Sequence, residues 1–191
     1  GDVYKRQIKI PGKSFREDAW VAVNTVSNYT DTSLGELIEI INQYPGSGRR
    51  MELLAENIYS DYAHTPEKIS GCINAAREIL QKNQELVVVY EPLTNRRQYY
   101  IKDSYHSLFE AVDHLYWVPS YLAREDKNQP ILSPNELIKS MHNHEIARPA
   151  ELDEGLWNNI KEHQARGDMI VIISGGGGGS LDEWVREKLK S

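Results

Sequence analysis

The sequence predicts a three-layer α/β domain, a mainly parallel sheet with helices on both faces (Rossmann-like), preceded by two helices. Residues 86–90 (LVVVY) and 169–173 (MIVII) are apolar on both faces, which is how central strands of a parallel sheet read. Helical spacing of apolar residues separates the strand-like runs, which implies right-handed crossovers. Finally, Pro45-Gly46-Ser47-Gly48 breaks the pattern, because such a stretch cannot continue a helix and makes a natural hinge.

The elements follow in order. Residues 14–29 carry Ala19, Trp20, Val23 and Val26 at helical spacing. Residues 33–44 form a second helix with Leu34, Leu37, Ile38 and Ile41 on one face, and Ser33 with Glu36 makes its capping box. After the hinge, residues 51–54 and 57–62 read as short strands. A helix over 65–80 has Thr65 as N-cap and Pro66 at its first position, with Ile69, Cys72, Ile73, Ala76, Ile79 and Leu80 as its buried stripe. The strand 86–90 precedes a helix near 104–112 and a strand over 115–118. Ser133-Pro134-Asn135-Glu136 opens a helix carrying Leu137, Ile138 and Met141, and residues 144–147 read as an edge strand. A helix over 153–165, built around Leu156, Trp157 and Ile160, leads to the strand 169–173. Ser180 and Glu183 suggest a capping box for a last helix.

With 40% hydrophobic and 26% charged residues in 191, the composition is that of a soluble globular protein. Its longest apolar runs are too short to span a bilayer, so a cytoplasmic location is expected. The lone cysteine, Cys72, excludes an internal disulfide and any multi-cysteine metal site, which fits a reducing compartment. It is either a nucleophile or a packing residue, and its helical spacing from Ile69, Ile73 and Ala76 favours packing. A net charge of −6 argues against nucleic acid and against an anionic membrane as partners, leaving a small substrate.

Four stretches carry candidate chemistry. Asp61-Tyr62-Ala63-His64-Thr65-Pro66 lies where a strand ends and a capped helix begins, the place where open α/β sheets bind ligands. There Asp61 either accepts hydroxyls or orients an amine, or merely caps local backbone; His64 either meets a phosphate or is a surface residue. Arg49 and Arg50 follow the hinge and either clamp a phosphate or carboxylate across a cleft or, like most surface arginine pairs, bind nothing. Arg96 and Arg97, in YEPLTNRR after the central strand, either recognise a carboxylate or belong to a solvated turn. The run Ser174 to Ser180 (SGGGGGS) lacks the Lys-Ser/Thr pair of a nucleoside-triphosphate loop, and the GxGxxG frame fails at Ser180, so it reads as a flexible strand-to-helix connection. His142 and His144 have no further cluster to make a metal site.

Taken together these stretches resemble the C-terminal part of the Mur ligases, ATP-dependent enzymes that add amino acids to UDP-N-acetylmuramate in peptidoglycan synthesis. Gly48-Arg49-Arg50-Met51-Glu52 resembles the family's Arg-Arg-Phe-Glu start of its third domain, and DYAHTP its Asp-Tyr-(Ala/Gly)-His motif. VVVYEPLTNRR resembles its next strand and substrate loop, and Gly167-Asp168-Met169-Ile170-Val171 its closing strand. The likeness runs over about residues 8–191, and the double arginine points to the branch that includes UDP-N-acetylmuramate L-alanine ligase and its tripeptide-recycling relatives.

The resemblance implies that the third domain closes over ATP held by a central domain and brings the amino acid to an acyl-phosphate, which closure shields from water. It implies nucleotide contacts by Arg50 and Asp61, a catalytic role for Asp61 and His64, and substrate contacts by Arg97, Arg96, His64 and Tyr62. ATP and Mg would be bound mainly by the central domain. The chain departs from the pattern in two places. Pro92-Leu93-Thr94 stands where the alanine-adding branch has Pro-His-Arg, and residues 12–18 (GKSFRED) lack both asparagines of Gly-x-His-Asn-x-x-Asn.

On this reading residues 8–45 are the end of the central domain, residues 46–191 are the third domain, and the chain is a fragment inactive by itself. Residues 1–7 (GDVYKRQ) are read as sequencing-adaptor sequence, since the codons GAT GTG TAT AAG AGA CAG for residues 2–7 spell a transposon end. The alternatives are a free-standing nucleotide- or anion-binding module and an amino-acid ligase of the folate or cyanophycin type.

Overall fold

A computed structural model describes residues 7–190. The stretch read as adaptor therefore lies outside the described residues, except for Gln7.

Two helices come first, α1 (Lys13–Ser27) and α2 (Leu34–Asn42). The Ser33 side chain accepts from the Glu36 N–H and the Glu36 carboxylate accepts from the Ser33 N–H, so the expected capping box forms. Ile8, Ala19, Val23, Leu37 and Ile38 make a small core of their own.

After residues 45–48, β1 (Glu52–Ala55) and β2 (Ile58–Asp61) form an antiparallel hairpin turned at Asn57, whose φ is 59°. The chain continues through α3 (Pro66–Ile79) and β3 (Leu86–Glu91). Next come α4 (Asn95–Ile101), a 3₁₀ turn, α5 (Tyr105–Leu108), β4 (His114–Trp117) and α6 (Pro134–Ile138). A second 3₁₀ turn leads to β5 (Ala147–Pro149), α7 (Glu154–Arg166), β6 (Met169–Ser174) and α8 (Leu181–Lys188). The six strands are ordered β1-β2-β6-β3-β4-β5, and all pairings except β1 with β2 are parallel.

Period-two alternation sends the central strands to two cores. Leu86, Val88 and Tyr90 pack with Ile69, Cys72 and Ile73 of α3, with Tyr105 of α5 and with Leu137 of α6. Val87 and Val89 pack with Leu156, Trp157 and Ile160 of α7 and with Leu181 and Val185 of α8. Helices therefore cover both faces, as the sequence predicts. Among the described residues no helix is long and apolar enough to cross a membrane.

Three expectations are corrected. The helix placed near 104–112 is the shorter α5, ending at Leu108, and an unexpected helix, α4, precedes it. Thr94 caps α4 by accepting from the Arg97 N–H, and the Gln98 side chain turns inward to meet the Tyr105 hydroxyl, so a polar string hides a buried helix face. Residues 144–146 form a 3₁₀ turn instead of the edge strand, which is β5; Pro149, with no N–H to donate, suits that edge position. Ser180 makes no capping box: its hydroxyl is buried without a partner, and Glu183 accepts from the Gly179 N–H at 2.9 Å.

A carboxylate ties the start of the helical pair to α3. Glu78 accepts from the two terminal guanidinium nitrogens of Arg16, at 2.6 and 3.0 Å, and from the Gly12 N–H at 3.0 Å. Gly12, with φ 88°, allows this approach, because a Cβ there would lie 2.9 Å from that of Ala75. The Arg16 hydrogen bonds, followed by that from Gly12, pull the Glu78 pKa from 4.5 down to about 2. Since the folded value lies below the unfolded one, the contact's contribution is complete above the ordinary value and is lost as pH falls toward about 2. Carboxyl NMR is expected to give Glu78 a midpoint near that value; an ordinary glutamate midpoint would show that the contact is not made in solution.

Candidate functional site

At the carboxyl rim of the sheet β2, β6 and β3 end side by side, with Asp61 opposite Ile173 and Glu91 opposite Ser174. Three loops leave these ends: 62–65, 175–180 and 92–94. They meet at Gly175, where an added Cβ would stand 2.8 Å from the His64 Cβ and 3.2 Å from the Leu93 Cβ.

Asp61 is 2% exposed and accepts from the Met51 N–H at 2.9 Å and the Ala63 N–H at 2.8 Å. Burial is the largest influence on its carboxyl and raises the pKa; the Met51 N–H and the Arg50 guanidinium, 3.9 Å away, work against it. The Tyr62 ring lies under both arginines, 4.5 Å from the Arg49 guanidinium carbon and 5.9 Å from that of Arg50.

The half-buried His64 places Nδ1 2.8 Å from the Tyr62 carbonyl. A carbonyl only accepts, so Nδ1 carries the proton and Nε2 is left as the acceptor. Desolvation is the largest influence and lowers its pKa; the hydrogen bond to the Tyr62 carbonyl works against it, and the positive fields of Lys68, Arg97 and Arg50 add to the lowering, so neutral imidazole is favoured. Such a histidine is suited to accept a proton or a hydrogen bond.

Arg50, Asp61, Tyr62 and His64 are thus brought together, and Arg97 is near enough to act on His64. Arg96 and Arg97 stand on the exposed first turn of α4, where the sequence suggested a loop. The Arg96 N–H donates to Glu125 at 3.1 Å. His142 and His144 are exposed, and no group of three or more His, Cys, Asp or Glu that could hold a metal occurs among the described residues. Cys72 is buried, its thiol pKa pushed well up by desolvation, consistent with packing.

Sequence reasoning missed Glu91 and the division of labour between the arginines. The Glu91 carboxylate, 4% exposed, accepts from the Ser174 hydroxyl at 2.5 Å and from the Leu181 N–H at 3.1 Å. It occupies the start of α8, where a phosphate would bind in a loop built for one. The glycine run is therefore a structural connection. Arg49 is turned inward, donating to the carbonyls of Ser174 at 2.6 Å and Gly176 at 2.9 Å, whereas Arg50, 36% exposed, borders a cleft. A charged residue ending an all-apolar strand was the one available signal for Glu91; nothing in two adjacent arginines distinguishes them.

That cleft, of about 980 Å³, lies between the helical pair and the hairpin. Phe15, Asp18 and Tyr44 line one side, Arg50 and Tyr59 the other, and residues 45–48 border it.

The family described as Mur ligase, glutamate ligase domain, matches residues 49–177. The UDP-N-acetylmuramate–L-alanine ligase of Rickettsia africae (strain ESF-5) is 30% identical over 158 residues, 78% of this chain; the chain spans only 32% of that relative. A solved UDP-N-acetylmuramate-alanine ligase from Thermotoga maritima superposes with a TM-score of 0.65 at 17% identity, over 96% of this chain and 38% of that one. A murein peptide ligase from Psychrobacter arcticus 273-4 does so with a TM-score of 0.56 at 26% identity, over 90% and 35%.

Proposed function

Because this chain belongs to the Mur ligase family, matched through its glutamate ligase domain over residues 49–177, we propose that it is the closing domain of an ATP-dependent ligase joining an amino acid to UDP-N-acetylmuramate. In this reading residues 8–45 end a central nucleotide-binding domain and residues 46–191 form the domain that closes on it.

One observation carries the proposal: Arg50, Asp61, Tyr62 and His64 converge on one rim, and Arg50 among them also lines the cleft beside residues 45–48. Arg50 is the cation offered to a nucleotide phosphate, and Asp61 fixes the turn that presents it. Neutral His64, with its free nitrogen, suits a hydrogen bond to the incoming amine or to the reacting carboxyl, and Arg97 suits the amino acid's carboxylate. The nucleotide fits this chain as one wall only. Gly12-Lys13-Ser14 has Gln7 where the GxxxxGK[ST] loop needs its first glycine, and its Gly12 N–H is taken by the Glu78 carboxylate; the described residues supply no metal-ligand group, so neither phosphate cradle nor metal site is assigned to them. ATP, when bound, supplies the activation of the carboxylate.

The experiment uses protein expressed from the full coding sequence, supplied with ATP, Mg and UDP-N-acetylmuramate and assayed by mass spectrometry. A panel of L-alanine, glycine, L-serine and the cell-wall tripeptide identifies the acceptor chemistry. A product with a new amide bond and stoichiometric ADP is expected for at least one of them; ADP formation only with a folate and glutamate would overturn the proposal.

A further inference from the structure

We propose that helix α8 sets the geometry of the hinge-exit turn through a ring of three ion pairs closed by one backbone hydrogen bond, with Arg186 as its positioning residue. The inference rests on the reading of Arg50 as a nucleotide contact.

Residues 49–52 form a turn that the chain does not adopt cheaply. Arg49 has φ 55° and Met51 φ 45°, so two residues with side chains occupy the left-handed region within three positions. Neither is glycine, asparagine or aspartate, the types that visit this region at low cost. Such a turn persists only when its surroundings hold it.

The holding contacts close on themselves. The Arg49 Nε lies 3.4 Å from the Asp182 carboxylate, and that carboxylate accepts from the Arg186 Nε at 3.0 Å. Arg186 forks onto both Glu52 oxygens, at 3.1 and 2.6 Å, and Glu52 in turn accepts from the Arg49 N–H at 2.7 Å. Three of the four links join opposite charges, and the fourth is the backbone N–H of Arg49 held by Glu52; with two arginines and two carboxylates the ring is neutral. The Ser60 hydroxyl also donates to Asp182, which anchors the ring to β2. Glu52 and Arg186 are both pulled toward their charged forms, each chiefly by hydrogen bonding to the other.

The consequence is directional. With Arg49 drawn inward by Asp182, Ser174 and Gly176, the next residue, Arg50, faces the cleft, and the Met51 N–H meets Asp61. Arg186 touches neither Arg50 nor Asp61; it acts through Glu52 and Asp182.

The test compares this chain with Arg186→Gln and Arg186→Lys by amide hydrogen exchange. In Arg186→Gln the Met51 amide is expected to exchange about tenfold faster while that of Val88, in the central strand, is unchanged; Lys, able to pair with one carboxylate, restores part of the protection. Equal acceleration at Met51 and Val88, or no change at Met51, would overturn the ring. In the complete enzyme Arg186→Gln is expected to raise the KM for ATP about fivefold or more with a smaller change in kcat. Selective exchange at Met51 with an unaltered KM for ATP would instead overturn the assignment of Arg50 to the nucleotide, leaving the ring standing.

Discussion

Replacing Asp61 by alanine in the complete enzyme is expected to lower turnover by about a hundredfold and to cost about 1–3 kcal/mol of stability. Two effects have one cause. The carboxylate is the acceptor for the Met51 and Ala63 N–H groups, and alanine leaves both without a partner in a site where the aspartate was 2% exposed. The turn that presents Arg50 then loses its fixed position, and misplacement of a binding group is itself enough to lower the rate. Asp61→Asn separates these contributions, since its single carbonyl oxygen serves one of the two donors and its charge is gone. Arg50→Ala is the contrasting case. Its guanidinium is 36% exposed and 3.9 Å from Asp61, so stability should stay within about 0.5 kcal/mol while the KM for ATP rises. Steady-state kinetics beside urea unfolding check all three; normal turnover in both alanine variants would remove these residues from the site.

How far this site could be read from the amino-acid sequence depends on what each residue's signal is made of. Asp61 and His64 were legible because local order reveals them: a strand ends, a proline starts a helix, and the residues between must lie on the carboxyl rim. The central strands β3 and β6 were legible because burial on both faces leaves an unbroken apolar run. Helix α4 was not, because its inward face is Asn95 and Gln98. Their amides are satisfied by the Pro130 carbonyl, the Leu132 N–H and the Leu93 carbonyl, partners far off or chemically silent in sequence. The same holds for Glu52, Asp182 and Arg186. Each looks like an ordinary surface charge, and only the return of the chain after some 130 residues makes them neighbours. Arg49 and Arg50 are the sharpest case. As side chains they are identical, and the left-handed turn that sends them opposite ways is set by contacts made elsewhere.

The glycine run offers the second large effect, and it tests whether the three loops act as one site. Gly175→Ala adds a methyl group 2.8 Å from the His64 Cβ and 3.2 Å from the Leu93 Cβ. Those atoms lie next to the backbone and cannot swing aside like the end of a long side chain, so the loops themselves must part. Overpacking of this kind costs about 1–3 kcal/mol. The functional cost should be larger in proportion, because His64 sits on one displaced loop and the helix bearing Arg97 begins just beyond the other. Turnover is expected to fall by about ten- to a hundredfold, with the KM for the amino acid raised. Gly178→Ala is the control: it is exposed, and its added methyl would find nothing closer than a Glu183 oxygen at 4.0 Å. It should change stability by no more than about 0.5 kcal/mol and leave turnover alone. A phosphate-binding run would respond otherwise, since side chains at either glycine would obstruct the backbone cradle and both variants would lose ATP. Equal loss in the two would therefore return the run to the nucleotide site, whereas loss confined to Gly175 identifies it as the point where the DYAH loop, the Pro92-Leu93-Thr94 loop and β6 are pressed into register.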